Sequence, residues 1–171
     1  MRGKLYHANS MESNILPSTV LILCDIRSNE NVGSLFRTAD AVGIQKIYLC
    51  GITPPPIDRF GREVKAIAKT ALGAEKSTPW EKDGDARVLI ERLKGSGYTI
   101  VAIEQSPESI DYKTVTPAEP VIFLLGNEVA GLPPELLALA DVIAEIPMRG
   151  EKESLNVAVA GGVALFRMLG R

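Results

Sequence analysis

Thr19-Val-Leu-Ile-Leu-Cys-Asp-Ile26 leads into Arg27-Ser-Asn-Glu-Asn31, and Lys46-Ile-Tyr-Leu-Cys50 follows after a gap. The first run is apolar throughout and of strand length, the pattern of a parallel strand covered on both faces. Within the gap, Val32, Leu35, Phe36, Ala39 and Val42 recur at helical spacing, and Gly43 stops the helix. The second run repeats the strand signature. This is a βαβ unit, and it predicts an α/β fold with a mostly parallel sheet flanked by helices. In such sheets ligands sit outside the carboxyl ends of the strands, so the loop after Ile26 is the first candidate site.

Working outward, the same alternation continues. Thr53-Pro-Pro-Pro-Ile is a stiff connector that cannot pair inside a sheet, and a helix is predicted from Asp58 to Leu72, closed by Gly73. Trp80 reads as an anchor for a loop or an interface. Asp85 to Leu93 reads as an amphipathic helix and Tyr98–Ile103 as a third strand, ending in Glu104 and Gln105. Residues 107–119 read as irregular. Pro120–Leu125 is a fourth buried strand that runs into Gly126-Asn-Glu-Val-Ala-Gly131. A short helix over Glu135–Ala140 and a fifth strand over Asp141–Ile146 precede Pro147-Met-Arg-Gly-Glu-Lys-Glu-Ser-Leu-Asn156. The last helix is apolar nearly all round, so it must be buried, with Ala158, Ala160, Gly161 and Gly162 permitting close approach. Residues 1–18 form an N-terminal arm, and 19–171 the single domain.

The chain has 171 residues, 46% hydrophobic and 23% charged, with a net charge of −2. There is no global pull toward nucleic acid, and any RNA contact must use a local basic patch or a partner subunit. Cys24 and Cys50 lie far apart, outside any C-x-x-C, and read as buried free thiols in a reducing cytoplasm. With His7 the lone histidine, neither a metal site nor a serine–histidine–acid set is expected. No apolar stretch reaches the length of a membrane span, and the first residues lack the apolar core of a signal peptide. A cytoplasmic protein is expected.

Three loops stand out: 27–37, 126–132 and 147–156. Asn31 is a candidate N-cap, and Gly33 allows another backbone or a phosphate to come close. Arg37 falls off the apolar stripe; a capped helix with a solvated arginine accounts for the same residues. No G-x-G-x-x-G or P-loop opens the first unit, which leaves a nucleotide-dependent oxidoreductase without its phosphate cradle. Arg59, Arg62, Lys65 and Lys69 recur at spacings of three and four on the predicted helix, the best basic patch in an acidic chain.

The segment Asn31-Val-Gly-Ser-Leu-Phe-Arg37, the segment Leu125-Gly-Asn-Glu128-Val-Ala-Gly131-Leu, and Ile146-Pro-Met with Ser154-Leu-Asn156 resemble, in order and separation, the three motifs of the SpoU/TrmH family of RNA ribose 2′-O-methyltransferases, part of the SPOUT superfamily. The resemblance implies a C-terminal deep trefoil knot, a homodimer, and S-adenosylmethionine held in the knot. It assigns cofactor contacts to Ile103, Glu104, Leu125, Gly126, Asn127, Gly131, Ile146, Met148, Ser154 and Leu155. Arg37, Asn31, Glu128, Ser154 and Asn156 match the family's catalytic polar positions. A guanidinium with a pKa above about 12 is a poor base, so Arg37 is read as gripping a phosphate and stabilising the developing alkoxide. Arg27, Arg37, Arg59, Arg62, Lys65 and Lys69 are the expected RNA contacts. The partner is tRNA or rRNA, with no DNA and no membrane. Many relatives append an RNA-binding domain; here substrate choice is expected to rest on the core, the arm, the Arg59–Lys69 face and the dimer. The alternative is a non-catalytic RNA-binding or assembly factor retaining the fold.

Overall fold

A computed structural model describes residues 17–171; His7 and nearly all of the predicted arm lie outside the described residues. Among the described residues the strands form one seven-stranded, wholly parallel sheet in the order β3-β2-β1-β6-β4-β7-β5. The strands are β1 (Thr19–Cys24), β2 (Lys46–Cys50), β3 (Trp80–Asp83), β4 (Thr99–Ile103), β5 (Ile110–Asp111), β6 (Val121–Leu125) and β7 (Val142–Glu145). The helices are α1 (Asn29–Val42), α2 (Lys65–Ala71), α3 (Ala74–Ser77), α4 (Ala86–Gly95), α5 (Pro134–Leu137) and α6 (Val157–Met168).

The continuous apolar runs exist because both faces of the sheet are covered. Leu21, Leu23, Ile47, Leu49, Phe123 and Leu125 point to the face carrying α1, α2 and α6. Their neighbours Val20, Ile22, Cys24, Cys50, Ile122 and Leu124 point to the face carrying α4 and α5. The two-residue side-chain period thus divides each run between two cores. Cys24 and Cys50 are register partners on β1 and β2, both buried free thiols. Burial pushes the Cys50 thiol up to about 12 and that of Cys24 higher, so neither is a ready nucleophile.

Several expectations are corrected. Trp80 opens an edge strand rather than a loop, and a two-residue strand interrupts the irregular stretch 107–119. The helix expected from Asp58 begins only at Lys65. Asp58 Oδ1 accepts from Phe60 N (2.8 Å) and Arg62 N (3.0 Å), and Gly61 takes φ 78°, so the segment closes on itself as a turn. Consequently Arg59 and Arg62 do not share a helical face with Lys65 and Lys69. The N-cap of α1 is Ser28, whose Oγ accepts from Asn31 N at 3.1 Å, and Asn31 sits inside the first turn. Gly33 serves a backbone: a Cβ there would lie 2.0 Å from Thr70 Oγ1 and 2.4 Å from Ile67 O, so α2 can lie directly on α1. Helix α6 buries one side, with Gly161 against Leu35 and Leu125, and leaves Val159, Val163 and Phe166 exposed on the other. No helix among the described residues is long and apolar enough to cross a membrane.

Candidate active site

Strands β1, β6, β4 and β7 are consecutive in the sheet and end at one edge, so the three loops singled out above converge there. Gly126 opens the loop after β6 with a close backbone approach. A Cβ on it would lie 2.5 Å from Gly131 C and from Leu132 N, so no other residue lets the loop fold back this closely. The loop is closed by paired backbone bonds between Asn127 and Gly131 (3.2 and 3.0 Å). Asn127 Oδ1 accepts from Val129 N and Ala130 N, both at 2.9 Å, and its Nδ2 donates to Asp25 O at 2.8 Å.

Glu128 joins this loop to the first one. Its Oε2 accepts from Arg27 N (3.0 Å); its Oε1 accepts from Ser28 N (3.0 Å) and Asn31 Nδ2 (2.9 Å). Asn31 Oδ1 accepts from Asn156 Nδ2 at 3.0 Å. Asn156 is the N-cap of α6, its Oδ1 accepting from Ala158 N (2.9 Å) and Val159 N (3.3 Å). The cap sets the direction of the whole chain of bonds. With Asn156 Oδ1 committed to α6, its Nδ2 must donate to Asn31, whose own Nδ2 must then donate to Glu128. Partial burial pushes the Glu128 carboxyl upward, but donation from Arg27, Ser28 and Asn31 outweighs it and holds the group below the usual carboxylate range. The result is an ionised latch across three loops. Asn156, not Ser154, is the residue that caps α6.

Beside the latch lies a pocket of about 300 Å³ at the ends of β4, β6 and β7. All ten residues expected to touch a cofactor line it: Ile103 and Glu104 from β4; Leu125, Gly126, Asn127 and Gly131 from β6; Ile146, Met148, Ser154 and Leu155 from β7 and its loop. Glu104 spans the floor, Oε2 accepting from Leu132 N and Oε1 from Gln105 N, both at 2.9 Å. Gly131 is left-handed at φ 68°, and a Cβ there would lie 2.5 Å from Glu104 Oε2. Gln105 Nε2 donates to Glu153 O at 2.7 Å, clasping the loop after β4 to the loop before α6.

Sequence reasoning missed Glu145 and Glu153, which line the pocket together with Gln105 of the loop after β4. Their only signal was position, next to residues already placed at strand ends. They decide its character. Glu104, Glu128, Glu145 and Glu153 line the pocket, and among the described residues no lysine, arginine or histidine does. Such a wall disfavours phosphate-bearing ligands and suits one with a positive centre and apolar surface. Among the described residues no cluster of His, Cys, Asp and Glu is placed to hold a metal.

Arg37 lies outside the pocket, exposed on α1 two turns beyond Asn31, with no hydrogen bond or ion pair among the described residues. Arg27 is exposed in the first loop, and Lys65 and Lys69 are exposed on α2.

The sequence profile of the SpoU rRNA Methylase family matches residues 18–166. The tRNA (guanosine(18)-2′-O)-methyltransferase of Aquifex aeolicus is 33% identical over 83% of this chain, which spans only 64% of that protein's length. The AdoMet-bound rRNA methyltransferase from Sinorhizobium meliloti is similar at a TM-score of 0.78 and 34% identity, covering 88% of this chain and 55% of that one. A structure described as giving insights into the 2-OH methylation of C/U34 on tRNA aligns at a TM-score of 0.71 and 25% identity, over 91% of this chain and 99% of that one. With the profile aligned from the first strand into the last helix, this chain belongs to the SpoU rRNA Methylase family.

Proposed function

We propose that this chain is an S-adenosylmethionine-dependent RNA methyltransferase acting on a ribose 2′-hydroxyl of tRNA or rRNA. The observation that carries the reading is the pocket: four glutamates, apolar walls and, among the described residues, no cation, at the sheet edge where the family motifs meet. Those residues fit the donor. Ile103, Leu125, Ile146 and Leu155 offer apolar surface to a purine, Glu104 and the loop amides offer polar contacts, and the carboxylates favour a sulfonium and an ammonium. The same wall opposes the pyrophosphate of NAD.

When bound, S-adenosylmethionine supplies a methyl group already activated on a sulfonium. The chain's own residues then have to hold the ribose 2′-oxygen in line with that methyl group and keep water out. The 2′-proton would pass to solvent water as the oxygen receives the methyl group, so the chain's own residues need to orient the hydroxyl and stabilise negative charge on its oxygen. Glu128 is an unsuitable acceptor for that proton, since three donors already hold its carboxylate. Arg37 is available to grip the neighbouring phosphate and stabilise negative charge on the oxygen. Asn31, Asn156 and Glu128 act as positioning residues that fix α1, and so Arg37, relative to the pocket. Ser154 sits on the pocket wall and contacts donor or ribose. Arg37→Lys keeps the charge and loses the planar fork; a drop in turnover of about 100-fold or more is expected, whereas near-normal turnover would assign Arg37 a charge role alone.

The working unit is a homodimer in the cytoplasm, with Arg59, Arg62, Lys65, Lys69 and Arg27 as further RNA contacts. Support for the dimer is the second apolar side of α6, where Val159, Val163 and Phe166 lie one turn apart and exposed. The C-terminal segment is read as a trefoil knot, passing under the segment between β4 and β6. Support is the Gln105–Glu153 clasp and Arg167 Nη2 donating to Lys113 O at 2.7 Å, which place that segment against α6 and its entry loop. Calorimetry with S-adenosylmethionine and with NAD tests the pocket: saturable binding of the first alone is expected, and binding of NAD alone would overturn the reading.

A further inference from the structure

The turn Ile57–Glu63, which interrupts the expected helix, is a built element with an aromatic at its tip. Its base is an antiparallel bridge between Ile57 and Glu63, reinforced by Asp58 N donating to Arg62 O and by Val64 N donating to Pro56 O. Asp58 holds the interior: Oδ1 takes the amides of Phe60 and Arg62, and Oδ2 takes Arg62 Nε and Nη2, each at 2.8 Å. Phe60 is 66% exposed at the apex. The Arg59 and Arg62 guanidinium carbons lie 4.8 and 4.9 Å from the centre of its ring. Arg62 is tethered there by Asp58, and Arg59 has no ion pair or side-chain hydrogen bond among the described residues.

A rigid turn that spends its polar groups on holding one phenyl ring in solvent is not explained by folding, because the ring gains no burial. It is explained by a planar ligand. The turn lies on the connection that leaves β2, and β2 ends at the same sheet edge as β1 and β6, its own end two strand spacings, about 10 Å, from that of β6. Behind it, Lys65 and Lys69 are exposed on α2, and α2 rests on α1 through Gly33. Residues 58–69 carry four cations against two carboxylates in a chain of net charge −2, so the turn heads a basic segment. A flat aromatic beside free and tethered guanidiniums, backed by lysines, matches an unpaired nucleotide, whose base stacks on a ring and whose phosphate takes a cation.

We infer that the Phe60 turn is a nucleotide clamp: an unpaired base flanking the methylated ribose stacks on Phe60, and Arg59 swings from the ring to that nucleotide's phosphate. Arg62, held by Asp58, keeps the turn's shape. This rests on the RNA-methyltransferase reading and adds to it which residue selects single-stranded over paired RNA. No sequence signal marked Phe60, because a helix through this region would have made it one apolar residue among several.

The test uses the full chain with a short single-stranded RNA and a blunt duplex of matching sequence, measured by fluorescence anisotropy over a salt series. Phe60→Ala is expected to weaken single-strand binding by about 5- to 100-fold, with duplex binding, S-adenosylmethionine affinity and melting temperature unchanged. Phe60→Trp should retain single-strand binding. Arg59→Gln should reduce the slope of log affinity against log salt by about one contact's worth. Unchanged single-strand binding in Phe60→Ala overturns the clamp, as does an equal loss on both RNAs. So does a change confined to self-association, which would make the turn a protein contact. A wild-type chain that neither binds RNA nor transfers a methyl group to it overturns the RNA reading itself; methyl transfer with a silent Phe60→Ala overturns the clamp alone.

Discussion

Two halves of one sheet edge use the same residue types for opposite ends. In the latch, Glu128, Asn31 and Asn156 spend their polar atoms on one another, on the Arg27 and Ser28 amides and on the first turn of α6. In the pocket beside it, Glu104 anchors the loop amides while Glu145, Glu153 and Ser154 line open space. One half is closed by its own hydrogen bonds and holds loops together; the other is an open pocket. Asparagine and glutamate in a motif therefore do not by themselves announce chemistry. What separates the two roles is whether the protein already satisfies the group.

That contrast can be broken at its seam. Gly126→Ala should have the largest effect, since its Cβ would meet backbone at 2.5 Å that cannot rotate away. A loss of about 3 kcal/mol in urea denaturation and abolished S-adenosylmethionine binding are expected together. Glu128→Ala should come next, costing about 2 kcal/mol through the charged hydrogen bonds it removes, and lowering turnover more than donor affinity because the loops carrying Arg37 lose their register with the pocket. Donor affinity collapsing while stability holds would make Glu128's place on the pocket wall, not the latch, its main role. Asn156→Ala should cost about 1 kcal/mol as a lost N-cap, and Asn156→Asp should restore the cap but not the donation to Asn31, separating the two bonds. The smallest effect is in pH. Because the folded Glu128 carboxyl lies below its ordinary 4.5, its stabilisation is complete above that value and is lost as pH falls through the folded value. The stability gap between wild type and Glu128→Gln should therefore be constant near neutrality and shrink in acid below 4.5; a gap that grew there would contradict the latch.

The architecture was legible where burial is two-sided. β1, β2, β4, β6 and β7 all stand out as apolar runs because each contributes to both cores. β3 did not, because an edge strand reading Trp-Glu-Lys-Asp shows one side to solvent and carries charge there. The early start given to α2 has a specific cause: charges at spacings of three and four mimic a helix, while Asp58 captures the amides that a helix would need. The pocket's ten residues were legible through motif resemblance, and its charge was not, because Glu145 and Glu153 lie outside the motifs and become neighbours of Glu104 only through the order of β4, β6 and β7. Asn31 was assigned a cap that belongs to Ser28, three residues earlier, since either side chain suits an N-cap and only geometry chooses between them.

The central claim is that the open half of the edge delivers a methyl group to a ribose oxygen. Incubating the protein with methyl-labelled S-adenosylmethionine and unmodified tRNA or rRNA, then digesting to nucleosides, reads this directly. The account predicts label in a 2′-O-methylated nucleoside, lost in Arg37→Ala and strongly reduced in Glu128→Ala. Label on a base, or tight donor binding with no transfer to either RNA, would contradict it.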